Sequence, residues 1–176
     1  MAAPVLLTKR DILKLFDLLD EELAATETHA ELYLVGGAVM CLALGARAAT
    51  RDVDGWFQPV ARVREAAVRV SHRASVPENW LNDAVKAWLS PRGTFDSYLE
   101  RPHLQVFVAR PEYLLAMKCM AMRLGEEFHD LDDVRYLLRF LNLTSAVDAL
   151  AIVTQYFAET DVPVKTRLAL EELLPQ

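Results

Sequence analysis

Between residues 32 and 57 the chain changes character several times, and this stretch restricts its fold more than any other feature. Leu32-Tyr33-Leu34-Val35 is a short apolar run rich in β-formers that stops at Gly36-Gly37, the pattern of a buried strand entering a turn. Ala38 to Leu44 is small and apolar, a helix that Gly45 would close as a C-cap. Thr50-Arg51-Asp52-Val53-Asp54-Gly55-Trp56-Phe57 then reads as a second strand carrying two acids. Buried strands separated by a short helix need a sheet with helices packed against it.

The flanks extend this picture. Thr8 with Asp11 forms a capping-box pair, and Ile12, Leu13, Phe16, Leu19 and Leu23 follow helical spacing, so Lys9 to Ala25 is expected to be an amphipathic helix. Pro59 leads into an arginine-rich helix reaching about His72. Pro77 opens a predicted helical stretch from Glu78 to Leu89, on which Trp80 and Trp88 lie eight apart and would bury one face. Phe95–Leu99 and Leu104–Val108 read as strands. From Pro111 onward the pattern is helical: Glu112 to Leu124, Asp130 to Leu141, Ser145 to Ala158 and Val164 to Leu174. The expected fold class is α+β, a mixed β-sheet core with flanking helices and a C-terminal helical segment. The expected division is residues 1–110 for the core and 111–176 for helices packed on it.

Composition narrows the function classes. No apolar run approaches the roughly 20 residues that span a membrane, and the start lacks a signal-peptide pattern. Cys41 and Cys119 fall inside apolar helical patterns, as buried free thiols do. His29, His72, His103 and His129 are too scattered for a zinc motif. A reducing, cytoplasmic setting is expected. The net charge of −6 opposes broad binding to nucleic acid. Arg62, Arg64, Arg69 and Arg73 form either a local RNA-phosphate grip or a solvated helix surface.

The candidate site combines two elements. Backbone N–H groups at a helix start attract phosphate, and glycines at 36 and 37 would let phosphate oxygens approach the main chain. Asp52 and Asp54 are spaced by two, so on a strand they share one face, about 7 Å apart, while Val53 points into the core. Paired carboxylates beside apolar residues call for a cation, and oxygen ligands suit magnesium or manganese. For an isolated pair, solvation or pairing with Arg47 and Arg51 would serve as well. The preceding glycine turn tips the balance to a metal–nucleotide site. Trp56 shares the Asp54 face and is read as packing rather than base stacking. Lys118 sits in an apolar helix where an unpaired ammonium is costly. Either it contacts phosphate, or it pairs with Asp130 or Asp133, which share a helix face.

Leu34-Val35-Gly36-Gly37, a short helix, and Thr50-Arg51-Asp52-Val53-Asp54 together resemble the polymerase-β-like nucleotidyltransferase superfamily. Among its members the sequence is most similar to small prokaryotic ones, including toxins of toxin–antitoxin and abortive-infection systems. Trp80-Leu81-Asn82-Asp83 looks like a motif of uncharacterised members. Tyr113 to Lys118, with Arg123 and Asp130 to Asp133, is similar to the helix pair after their last core strand. The likeness spans about residues 30 to 140.

The resemblance implies magnesium- or manganese-dependent transfer of a nucleotide from a nucleoside triphosphate to an RNA or protein acceptor. Asp52 and Asp54 would be the catalytic and metal-binding pair. Gly36, Gly37, Lys118 and Arg123 would bind the nucleotide, with Thr50, Asp83, Asp130 and Asp133 in support. A cognate antitoxin or toxin partner is expected, and no membrane. The resemblance also implies a third carboxylate on a later strand, matched here to Leu104–Val108, whose polar residue is Gln105. Asp83, Asp96 or Glu100 would have to substitute. Lacking a substitute, the chain would be an inactive nucleotide- or partner-binding regulator or antitoxin.

Overall fold

The computed structural model describes residues 3–123 and 130–174. The end of the expected helix at Leu124, and His129, lie outside the described residues. The chain forms two compact units and crosses between them three times. One unit runs to Ala87 and resumes for Phe95–Ala109; the other takes Trp88–Thr94 and everything from Arg110 onward. The segment Trp88–Thr94, read from sequence as part of the core, therefore belongs with the helices.

The first unit is α+β, as expected. Its elements are β1 (Leu7–Thr8), α1 (Lys9–Ala25), β2 (Ala30–Val35), α2 (Gly36–Leu42), β3 (Ala49–Thr50), β4 (Val53–Gln58), α3 (Val60–Ala74), β5 (Leu81–Asn82), β6 (Phe95–Glu100) and β7 (Leu104–Ala109). The Thr8 side chain accepts from Asp11 N, and Asp11 accepts from Thr8 N, closing the capping box that starts α1. Five strands form a mixed sheet in the order β5-β4-β2-β7-β6. Strands β2 and β4 run antiparallel, β2 and β7 parallel, and β4 and β5 parallel.

Alternation sets the two faces of the sheet. Leu32, Leu34, Val53, Phe57, Leu104, Val106 and Val108 are buried and share one face. Helices α1 and α3 pack together and against β7 and β4. Trp80 fastens this layer: it is fully buried, its Nε1 donates to Ala67 O at 3.0 Å, and its ring meets Phe16 at 6.5 Å. On the opposite face Trp56, Tyr33 and Phe107 stack in register across β4, β2 and β7, with centroids 4.1 and 4.7 Å apart. Trp56 thus packs, as expected.

The expected helix from Glu78 to Leu89 does not form. Leu81–Asn82 is captured as β5 beside Val53–Asp54, and only Ala84–Trp88 turns, as a 3₁₀ segment. Trp80 and Trp88 accordingly do not share a buried face; Trp88 is 74% exposed. A non-local ladder outweighs the local spacing here.

The arginines of α3 are engaged with acids. Arg69 Nε and Arg73 reach Glu22 at 2.6 and 2.9 Å, Arg73 also reaches Glu21, and Arg64 pairs with Asp83 at 2.7 Å. This favours the helix-surface reading over an RNA grip. Hydrogen bonding from Arg69, then from Arg73, holds the Glu22 carboxyl below its ordinary value despite some burial. Because its folded value is lowered, Glu22 stabilises the fold above the ordinary glutamate range, and that contribution fades as pH falls below it. We expect Glu22→Gln to flatten the loss of stability on acidification below about pH 4.5, measured by urea unfolding at stepped pH. An unchanged pH profile would refute this.

The second unit contains α4 (Pro111–Met120), α5 (Asp130–Phe140), α6 (Ala146–Tyr156) and α7 (Val164–Leu173). Ser90 ties Trp88–Thr94 to it: Ser90 N donates to Tyr113 Oη at 2.9 Å and Ser90 Oγ donates to Tyr156 O. Thr166, fully buried on α7, donates to Cys119 O on α4 at 2.7 Å. Both cysteines are buried and free, and burial pushes the Cys119 thiol up to about 12. Among the described residues no helix is long and apolar enough to cross a membrane.

Candidate functional site

The site lies at the end of β2, where the chain turns through Gly36 into α2. Gly36 has φ of +69°, a conformation that disfavours any side chain. Across the ladder, Val35 is paired with Asp54. A Cβ on Gly36 would stand 3.3 Å from Asp54 Oδ2, so the carboxylate occupies the space that glycine leaves. On Gly37 a Cβ would meet Thr50 Oγ1 at 2.9 Å and an Arg47 guanidinium nitrogen at 3.0 Å. The acid strand and the glycine turn therefore converge.

Asp52 is the residue immediately ahead of β4, not within it, and Asp54 is the second residue of the strand. Val53 between them is fully buried, as alternation requires. Both acids are half-buried. Thr50 is buried and its hydroxyl donates to Asp52 O at 3.3 Å, which shapes the turn into β4. Burial pushes the Asp52 carboxyl above its ordinary value, against the lowering effects of an Asn82 hydrogen bond and the Arg51 charge. A carboxylate held at such a disadvantage gains from a cation.

The strand beside β4 on its other side is β5, which brings Asn82 next to the acids. Asn82 is paired with Asp54 in the parallel ladder, and its Nδ2 donates to Asp52 Oδ2 at 3.2 Å. Gln105 is not there. It is exposed on β7, separated from β4 by β2, and is paired with Glu31 at the end of β2 opposite to Val35. Asp96 and Glu100 lie on β6, farther from β4 still. Asp83 follows Asn82 but is committed to Arg64. Among the described residues, no group of three His, Cys, Asp or Glu side chains is placed to hold a metal ion.

Lys118, Arg123, Asp130 and Asp133 belong to the helical unit. Lys118 Nζ pairs with Asp133 Oδ2 at 2.8 Å, the ion-pair alternative of the sequence reading. Arg123 donates to Asp130 Oδ2 from both its backbone N (3.1 Å) and its Nε (2.8 Å). Burial would raise the Asp130 carboxyl, but these bonds outweigh it and hold it below its ordinary value.

From sequence, neither Asn82 nor Arg47 is assigned to the site. Asn82 stands in the Trp80–Asp83 motif, and its place beside the acids follows only from the β4–β5 ladder. Arg47 appeared as a possible counter-charge, but its place over Gly37 depends on how the chain returns from α2 to β3. The chain matches no family model, no curated protein and no solved structure.

Proposed function

We propose that this chain is a metal-dependent nucleotidyltransferase of the polymerase-β-like kind, moving a nucleotide from a triphosphate to an RNA or protein acceptor. One observation carries the reading: Asp54 Oδ2 lies against Gly36, so the acid pair and the glycine turn form one corner. The donors there are carboxylate oxygens with a hydroxyl and an amide nearby, a hard oxygen set that fits magnesium or manganese. A cation bound there supplies Lewis-acid polarisation of the α-phosphate. Asp52 and Asp54 would hold that cation, and Gly36, at a positive φ, lets the main chain turn beside them. Arg47 and Thr50 border the same space. The acceptor hydroxyl oxygen bonds to the α-phosphorus, the bond to pyrophosphate breaks, and the hydroxyl proton passes to solvent. Positioning and charge neutralisation supply most of the acceleration. A cytoplasmic toxin–antitoxin component is the setting that the resemblance favours.

A second reading, a nucleotide- or partner-binding regulator or antitoxin without turnover, rests on Asn82. An amide, not a carboxylate, stands in register with Asp54. Melting curves with each triphosphate, with and without magnesium, test the shared premise. A ligand at about 100 times its Kd stabilises by about 2.7 kcal/mol. We expect a magnesium-dependent rise in Tm that Asp52→Asn abolishes. No shift with any of the four triphosphates would remove the first reading and the nucleotide-binding form of the second. Labelled triphosphates with total RNA and protein then separate transfer from binding.

A further inference from the structure

Asn82 is placed to govern the two acids together. Its backbone is paired with Asp54 in the β4–β5 ladder, so both side chains leave the same face. Its amide donates to Asp52 Oδ2 at 3.2 Å, and its own Oδ1 accepts from Ala84 N at 3.4 Å. The second bond orients the amide: with Oδ1 turned to the backbone, Nδ2 faces Asp52. The Nδ2 bond engages only one oxygen of Asp52, its Oδ2.

Resting on the proposed metal site, we propose that Asn82 is its positioning residue. It clamps Asp52 through one carboxylate oxygen and, being neutral, adds no further negative charge beside the two acids. An acid at this position would add a third charge within reach of the same cation. An apolar residue would release Asp52 to rotate. Neighbours of this kind that orient a ligand typically alter metal affinity by about 10–100-fold when removed.

The test is titration of Mn²⁺ alone into the whole chain, followed by electron paramagnetic resonance, with water-proton relaxation reporting the waters left on the bound ion. Wild type is compared with Asn82→Ala, Asn82→Asp, Asp52→Asn and Asp54→Asn. We expect Asn82→Ala to weaken Mn²⁺ about tenfold or more and to change the number of bound waters, because Asp52 is free to bind through both oxygens. Asn82→Asp, which matches asparagine in size, loses the same donor to Asp52, so we expect it to bind Mn²⁺ more tightly than Asn82→Ala, by the added charge. Wild-type affinity and hydration in Asn82→Ala would overturn the clamp; Asn82→Asp binding Mn²⁺ no more tightly than Asn82→Ala would overturn the charge argument. Either failure leaves the metal site standing as long as Asp52→Asn and Asp54→Asn lose Mn²⁺. If wild type and those two variants behave alike, the metal site itself fails, and the role of Asn82 with it.

Discussion

Gly55→Ala is expected to destabilise the α+β unit by about 3 kcal/mol or more and to abolish any metal- or triphosphate-dependent stabilisation. Gly55 is buried in β4, opposite Leu34 of β2. A Cβ there would run into the Tyr33 carbonyl oxygen and stand 3.1 Å from its carbon and 3.2 Å from Leu34 Cα. These atoms are backbone, so no rotamer change relieves the contact; β2 and β4 must separate. Overpacking a rigid interior costs about 1–3 kcal/mol, and a clash with a paired strand stands at the upper end. For a unit of this size about 3 kcal/mol lowers Tm by more than about 10 °C. The damage reaches the site directly, because the same ladder that holds Gly55 against Leu34 holds Asp54 against Val35 and hence beside Gly36. Denaturant unfolding followed by tryptophan fluorescence measures the first effect, and melting with Mg²⁺ and triphosphate the second. A variant as stable as wild type would show that the strands are not in this register.

That glycine also marks where the sequence stops being legible. Features set by neighbours along the chain could be read well. The Thr8–Asp11 box and the apolar spacing behind it delimit α1 as Lys9–Ala25, because capping and amphipathicity are local. Alternation around Val53 correctly set the two acids opposite a buried residue. The glycine turn and the acids could be associated because they are close in sequence and their types share a chemistry. What failed depended on pairing across the fold. The tryptophans at 80 and 88 satisfy helical spacing, yet Leu81–Asn82 gains more as a strand beside Val53–Asp54. Gln105 occupies a polar position on a strand, and nothing local reveals that β2 intervenes between it and the acids. For Asn82 the informative fact is its ladder partner, which no spacing encodes. The return of Trp88–Thr94 to the helical unit is likewise invisible, since it depends on Ser90 meeting Tyr113 and Tyr156.

Lys118→Met is expected to destabilise the helical unit by about 3–5 kcal/mol, the effect of removing one partner of a buried ion pair. The pair is well shielded: the Lys118 side chain is 14% exposed and that of Asp133 is 5%, with 2.8 Å between Nζ and Oδ2. It joins α4 to α5. Lys118 lies among Tyr113, Leu114, Leu115, Ala116, Met117 and Cys119, all buried, so methionine fits the stem's surroundings and the loss comes from Asp133. Without the ammonium, Asp133 loses the cation it is paired with inside the helical unit. The double variant Lys118→Met/Asp133→Leu therefore separates charge from packing. Replacing both members of a buried pair by apolar residues of similar size is often neutral, so we expect the double variant to recover most of the stability lost in the single one. Urea unfolding of the single and double variants closes the cycle, with a coupling energy well above the 1 kcal/mol typical of exposed pairs. Recovery would make the pair a lock between helices. A single variant as stable as wild type would mean that the ammonium does not neutralise Asp133. Retained triphosphate binding in the stable double variant would then leave Lys118 with the lock as its role, and loss of binding would return it to the phosphate-contact reading.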